Sequence, residues 1–153
     1  MLADDESKEV RELIASTTNY EDILDTLLDD PVEEVRAACA ANPRIDRDRI
    51  DRLITDRSSL VRRRAVAMGL RYPDEEQLLR LAGDRSSTVR WEVAISWRST
   101  GRVMEVLLND ADEDLRHHAR DWLEADSFGY NDEQSREAGA TAAGAIPGQF
   151  DHP

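Results

Sequence analysis

One pattern of apolar and polar positions recurs five times along the chain. An aspartate is followed six residues later by an arginine, and the residue before that arginine is valine or leucine. The copies run Asp5 to Arg11, Asp30 to Arg36, Asp56 to Arg62, Asp84 to Arg90 and Asp110 to Arg116, with the arginines 25, 26, 28 and 26 residues apart. Five copies with one internal offset indicate a structural repeat.

Two helices are predicted in each repeat. The motif opens a helical segment, and a shorter segment with apolar residues at three- and four-residue spacing follows it. Polar and helix-breaking residues separate the two, at Thr17-Thr18-Asn19, Asn42-Pro43, Gly69 and Ser99-Thr100-Gly101. The pattern predicts five longer and four shorter helices. The shorter helices are α-helical or partly 3₁₀ in this interpretation. We interpret each motif aspartate as the helix N-cap or its neighbour, because a short carboxylate accepts bonds from free backbone N–H groups.

Alignment on the motif arginines predicts the core. The positions one before and three after each arginine are mostly apolar and share one helix face. They are Val10, Val35, Val61, Val89 and Leu115, then Ile14, Cys39, Ala65, Val93 and Ala119. Cys39 is the only cysteine, and we interpret it as a small buried hydrophobe rather than a reactive thiol.

The motif resembles that of bacterial HEAT-like repeats, and the Ala-Ala-Asn-Pro turn at 40–43 is similar to the leucine-rich repeat variant family. The resemblance covers about residues 5–124 and implies an all-α fold, a right-handed α-solenoid of about five short two-helix repeats. Some leucine-rich repeat variant proteins hold an iron–sulfur cluster near the N-terminus, but no cysteine precedes Cys39 in this sequence. The resemblance also implies a structural ladder of hydrogen bonds between repeats. The implied ladder residues are Asp30, Arg36, Asp56, Arg62, Asp84, Arg90, Asp110 and Arg116.

The face opposite the predicted core is the candidate binding face. There the positions one and five after each arginine predict a flat groove at Ala37 and Ala41 and an exposed Trp91 and Ile95. Exposed tryptophan beside arginine is typical of protein interfaces. Packing of Trp91 against the next helix is the alternative, and Trp97 and Trp122 are interpreted as packing residues. The predicted partner-binding residues are Arg63, Arg64, Trp91, Ile95, Arg98 and His117.

Charge is uneven along the chain. The formal net charge is -13, but residues 31–123 carry seventeen acids and seventeen arginines, so the excess acid lies at the two ends. Direct nucleic-acid binding through Arg62, Arg63, Arg64, Arg90 and Arg98 is therefore a minor alternative, since phosphate binding needs a basic excess. The other alternative is an inhibitor or immunity-type protein whose acidic ends, including Asp25, Asp29 and Asp30, bind a basic target.

Catalytic chemistry finds no support in the sequence. There is no glycine-rich phosphate loop, no serine–histidine–aspartate set and no His-Glu-x-x-His motif, and neighbouring acids such as Glu33 and Glu34 are expected at helix starts. The pair His117 and His118 points in divergent directions on a helix, which is poor metal-ligand geometry. We predict no enzyme, no cofactor and no metal site.

The chain divides into a repeat domain at 1–124 and a low-complexity flexible tail at 125–153. The tail is rich in small residues, glycine and proline, and a linear motif around Phe128, Tyr130, Ile146 and Phe150 is its functional alternative. An acidic start and the lack of a long apolar run predict a cytoplasmic protein with no membrane contact. The leading hypothesis is a scaffold or adaptor that binds a protein partner.

Overall fold

The computed structural model describes residues 2–68 and 73–127, and these residues form an all-helical fold with no strand. We call the helices that carry the repeat arginines motif helices and the others linking helices. The motif helices are α1 (Lys8–Thr17), α3 (Glu33–Ala38), α5 (Ser59–Met68), α7 (Ser87–Ile95) and α9 (Glu113–Ser127). The linking helices are α2 (Glu21–Leu27), α4 (Arg47–Ile54), α6 (Glu75–Leu81) and α8 (Gly101–Leu107).

Two short 3₁₀ helices, Leu2–Asp4 and Cys39–Ala41, complete the described elements. The second is a correction, because 3₁₀ geometry continues α3, a motif helix, rather than a linking helix. Proline disfavours helical geometry in the residue before it. Asn42 precedes Pro43 and has extended backbone angles, so the last turn of α3 tightens before the chain leaves the helix.

Each motif helix packs against the motif helices before and after it in the chain. The contacts join α1 to α3, α3 to α5, α5 to α7 and α7 to α9, while α4 contacts α6 and α6 contacts α8. Adjacent motif and linking helices also contact each other, as α4 does α5 and α8 does α9. The helices therefore lie next to their sequence neighbours of the same kind.

The core positions predicted from the motif alignment are buried in the later four repeats. In the first repeat Val10 is 36% exposed and Ile14 is only partly buried; of the described elements, the 3₁₀ helix Leu2–Asp4 precedes α1. The prediction for Val10 is therefore wrong. Apolar residues of the linking helices, such as Leu53 and Leu107, join the same core cluster.

Cys39 lies in this core with no exposed surface, and its Sγ donates to the backbone oxygen of Val35 at 3.6 Å. Burial raises the pKa of the Cys39 thiol to about 12. The thiolate, which is the reactive form, is therefore scarce at neutral pH.

Helix α9 runs to Ser127, the last described residue, which lies three residues beyond the predicted domain boundary at 124. The predicted flexible tail and the alternative linear motif from Phe128 onward lie outside the described residues, as does the predicted helix stop at Gly69. Within the described residues, none of the helices is long and apolar enough to cross a bilayer.

Candidate partner-binding face

The repeat arginines and aspartates form a chain of hydrogen bonds from one repeat to the next. Arg62 donates from Nε and Nη2 to the carboxylate of Asp84 at 2.7 and 2.8 Å, and from Nη1 to the backbone oxygen of Asp56 at 2.8 Å. The same bidentate contact joins Arg11 to Asp30, Arg36 to Asp56 and Arg90 to Asp110. These side chains therefore link repeats.

Arg116 differs from the other repeat arginines. It keeps the backbone contacts, from Nη1 to the oxygens of Asp110 at 2.7 Å and Ala111 at 3.1 Å. No carboxylate of the described residues pairs with it. The last described repeat therefore has an arginine without the inter-repeat half of the contact.

Each repeat aspartate also accepts a backbone hydrogen bond two residues along. Asp56 Oδ1 accepts from the N–H of Ser58, and Asp30 Oδ1 from that of Val32, both at 2.8 Å. Val32 is the N-cap of α3, so Asp30 lies two residues before the cap. The interpretation of these aspartates as N-caps or neighbours of the N-cap is therefore wrong. The arginine contact and this tight turn together hold each carboxylate two residues before the N-cap.

The protonation of these carboxylates is controlled by competing effects. Burial alone would raise the pKa of Asp56, but the hydrogen bonds from Arg36 and from the Ser58 N–H outweigh it, so the pKa lies below its usual value. The same balance lowers the pKa of Asp84 and Asp110, through Arg62 and Arg90. The ionised form is therefore favoured by the folded state.

A lowered pKa in the folded state fixes the direction of the pH dependence. The stabilisation is fully present above the unfolded aspartate pKa, about 3.9, and is lost as pH falls through the lower folded pKa. We expect urea denaturation to show constant stability from neutral pH down to mildly acidic pH and a steep fall below about pH 4. Asp56→Asn should show a shallower fall, and an unfolding free energy that rises on acidification would contradict this account.

The linking helices carry a second set of ion pairs between repeats that the sequence reasoning missed. Arg49 on α4 contacts Asp25 on α2 at 2.9 Å, Arg52 contacts Asp29 at 2.7 Å, and Arg102 on α8 contacts Glu75 on α6 at 2.9 Å. The signal was a spacing of 23 to 27 residues between acid and arginine, close to the repeat period. Asp25, Asp29 and Asp30, which the inhibitor alternative assigned to a target, are thus all paired within the chain.

Trp91 is not exposed as predicted. Its indole N–H donates to Asp112 at 3.3 Å, and its ring lies 5.7 Å from the ring of His118 on α9. The side chain is partly buried and packs against the core. The prediction of an exposed anchor at this position is wrong, because α9 covers the ring, and the alternative of packing against the next helix describes the contacts.

The packing role predicted for Trp97 is also wrong, since this residue is 75% exposed in the turn after α7. The guanidinium of Arg98 lies 4.8 Å from the centre of its ring. Arg98 also donates to the backbone oxygen of Pro73 at 3.4 Å, and burial lowers the pKa of Arg98. Trp122 lies half-buried against the core. Helical spacing failed for Trp97 because it lies beyond the helix.

The other predicted partner-binding residues lie on three motif helices. Arg63 is partly buried and Arg64 exposed on α5, and neither forms an ion pair with a described residue. Ile95 is 60% exposed at the end of α7, and His117 is exposed on α9. The structure thus leaves Arg64, Ile95 and His117 open to a partner, while Trp91 and Arg98 are engaged by the fold.

A groove of about 410 Å³ crosses the motif-helix face between α1, α3 and α5. Its floor is α3 and the 3₁₀ helix that continues it, where the small side chains of Ala37, Ala38 and Ala41 leave the surface low. Leu13 on α1 and Met68 on α5 line opposite walls and are 64% and 41% exposed. We call this feature the alanine groove; Arg64 lines it, while Trp91, the centre of the predicted face, does not.

The arrangement of the arginines bears on nucleic-acid binding. Of the five proposed for it, Arg62 and Arg90 are held by aspartates, and Arg98 is partly buried and donates to the backbone oxygen of Pro73, which leaves Arg63 and Arg64. Two adjacent arginines neutralise few phosphates.

Among the described residues no group of three or more histidine, cysteine or acidic side chains is placed to hold a metal ion. His118 Nε2 lies 3.2 Å from the backbone oxygen of Ala94.

Comparison of the chain with models of protein families, with curated protein sequences and with solved structures finds no match.

Proposed function

We propose that the chain is a short right-handed α-solenoid of HEAT-like repeats that acts as a scaffold or adaptor and binds a protein partner on the face of its motif helices. The neighbour-to-neighbour packing of the helices and the repeated arginine–aspartate contacts support the architecture. Repeats stacked in this way present a continuous helical surface, which such proteins use for binding.

The alanine groove is the observation that carries the binding proposal. Large apolar side chains on both walls, Leu13 and Met68, are exposed to water, whereas most other apolar side chains of the described residues are buried or partly buried. Covering such side chains with a partner is favourable by about 25 cal/mol for each Å² of apolar surface removed from water. Exposed Ile95 extends the apolar character of the motif-helix face toward α7.

Affinity capture from a lysate of the host tests the proposal. Two variants change the groove: Leu13→Asp places a charge on one wall, and Ala41→Trp fills the space between the walls. The control variant is Val106→Trp, which adds the same ring at an exposed position on linking helix α8. We expect a protein retained by the unmodified chain and by Val106→Trp to be lost from both groove variants. Leu13 is mostly exposed, so its variant should fold. Equal retention by all four chains would refute binding at this face.

A further inference from the structure

The shape of the alanine groove suits a helix. From Glu34 to Ala41, the groove floor runs along α3 and the 3₁₀ turn that continues it, a length of about 12 Å at the rises of the two helix types. Small side chains on the floor permit close approach of a partner, and the neighbouring helices α1 and α5 form the two walls. Amphipathic helices bind grooves of this kind through apolar residues three and four positions apart.

The two walls differ in charge. Glu9 and Glu12 line the α1 wall, and neither forms an ion pair with a described residue. Glu34 adjoins them but is held by Lys8 at 3.0 Å. Among the described residues that line the opposite wall, Arg64 is the charged one. The groove is therefore acidic along α1, apolar in the middle and basic along α5.

This asymmetry identifies the complementary partner. We propose that the alanine groove binds an amphipathic helical segment of the partner that inserts aliphatic side chains over Ala38 and Ala41 and carries lysine or arginine on the flank facing α1. The inference rests on the proposed function and adds the chemistry and the orientation of the partner. Opposite charges across an interface determine orientation and exclude wrong partners, while the apolar contact supplies the affinity.

The tail of this chain is a poorer occupant. Residues 128–153 carry four acids, Asp132, Glu133, Glu137 and Asp151, against the single base Arg136. Its acidic character opposes that of Glu9 and Glu12. A basic segment of another protein would place positive charge beside the carboxylates of the α1 wall, whereas the tail would place negative charge there.

Binding of defined peptides to the full chain, followed by fluorescence anisotropy, tests the proposal. The probes are stapled alanine-based helices with leucines at three- and four-residue spacing: one carries lysines on one flank and the other glutamates. A third probe is a synthetic peptide of residues 128–153. We expect the lysine probe to bind about tenfold or more tightly than the glutamate probe in low salt. Tighter binding of either other probe would overturn the proposal.

Charge reversal on the protein separates the groove from a general charge effect. Glu12→Lys should weaken binding of the lysine probe about fivefold and strengthen binding of the glutamate probe, a change typical of a charge contact at a protein surface. The matched control, Glu105→Lys on α8, makes the same change in net charge at an exposed position of a linking helix and should leave both affinities unchanged. An equal effect of the two variants would overturn the proposal.

The two proposals fail in different ways. A captured host protein that is lost from Leu13→Asp, together with probes that show no charge preference, would refute the inferred partner chemistry and leave the proposed function standing. Capture that ignores both groove variants would refute the proposed function, whatever the probes bind.

Discussion

Replacing Arg62 with alanine is expected to destabilise the chain by about 3–5 kcal/mol, the usual cost of removing one partner from a buried ion pair. The Arg62 and Asp84 side chains are only 6% and 8% exposed, so solvent does little to compensate for the loss. The change leaves the Asp84 carboxylate buried with only a backbone N–H of Ser86 as a donor, and it removes the donor to the backbone oxygen of Asp56. Urea denaturation monitored by helical circular dichroism measures the loss.

Arg116→Ala is the matched control, because Arg116 occupies the same repeat position with backbone contacts alone. No carboxylate is left uncompensated by its removal, so we expect a cost of about 1 kcal/mol, the value of ordinary hydrogen bonds. Equal losses in the two variants would show that the arginine–aspartate contact does not stabilise the packing of one repeat on the next. A loss in Arg62→Ala smaller than that in Arg116→Ala would contradict the same account.

Asn42→Asp is expected to cost about 2–4 kcal/mol although the two side chains have nearly the same shape. Asn42 is buried, and its amide donates to the backbone oxygens of Ala15 at 2.8 Å and Thr18 at 3.1 Å. A carboxylate has no hydrogen to donate and would face two oxygens at the negative end of the α1 dipole. Thermal and urea unfolding at neutral pH measure the loss.

Asn109→Asp is the control for this substitution, since Asn109 is exposed after α8 and its side chain forms no hydrogen bond with a described residue. Its change should be within about 0.5 kcal/mol, as for most surface substitutions. The introduced buried carboxyl should be easier to protonate than an exposed one, so the gap between Asn42→Asp and the unmodified chain should narrow as pH falls. A gap that widens on acidification would show that the missing donor is not the cause.

The helical character of the described chain was predictable from the sequence, because helix formation depends on local periodicity and on capping residues. The six-residue offset from aspartate to arginine corresponds to the contact of Arg62 Nη1 with the backbone oxygen of Asp56. The carboxylate that Arg62 binds, that of Asp84, lies 22 residues along the chain in the next repeat. The first repeat departs from the pattern at Val10, which is exposed. The repeat pattern predicts burial at this position on the assumption that another helix packs against it, and the pattern itself does not show whether one does.

The candidate site was only partly predictable. The low surface at Ala37 and Ala41 followed from the size of the side chains, and these residues form the floor of the groove. Leu13 and Met68 were missed, since neither lies one or five positions after its repeat arginine, and the walls of a groove belong to neighbouring helices whose spacing is a tertiary property.

The sequence by itself determined the period, the helices and the apolar face of each, because these follow from the order of residues within a few turns of chain. Only the tertiary structure decided which tryptophan is covered: α9 packs over Trp91, while Trp97 lies beyond the end of its helix and stays exposed. It also decided which charges are free, since Asp25 and Asp29 meet arginines more than twenty residues away. Exposure and pairing depend on what the next repeat places opposite a side chain, and a single helix does not contain that information.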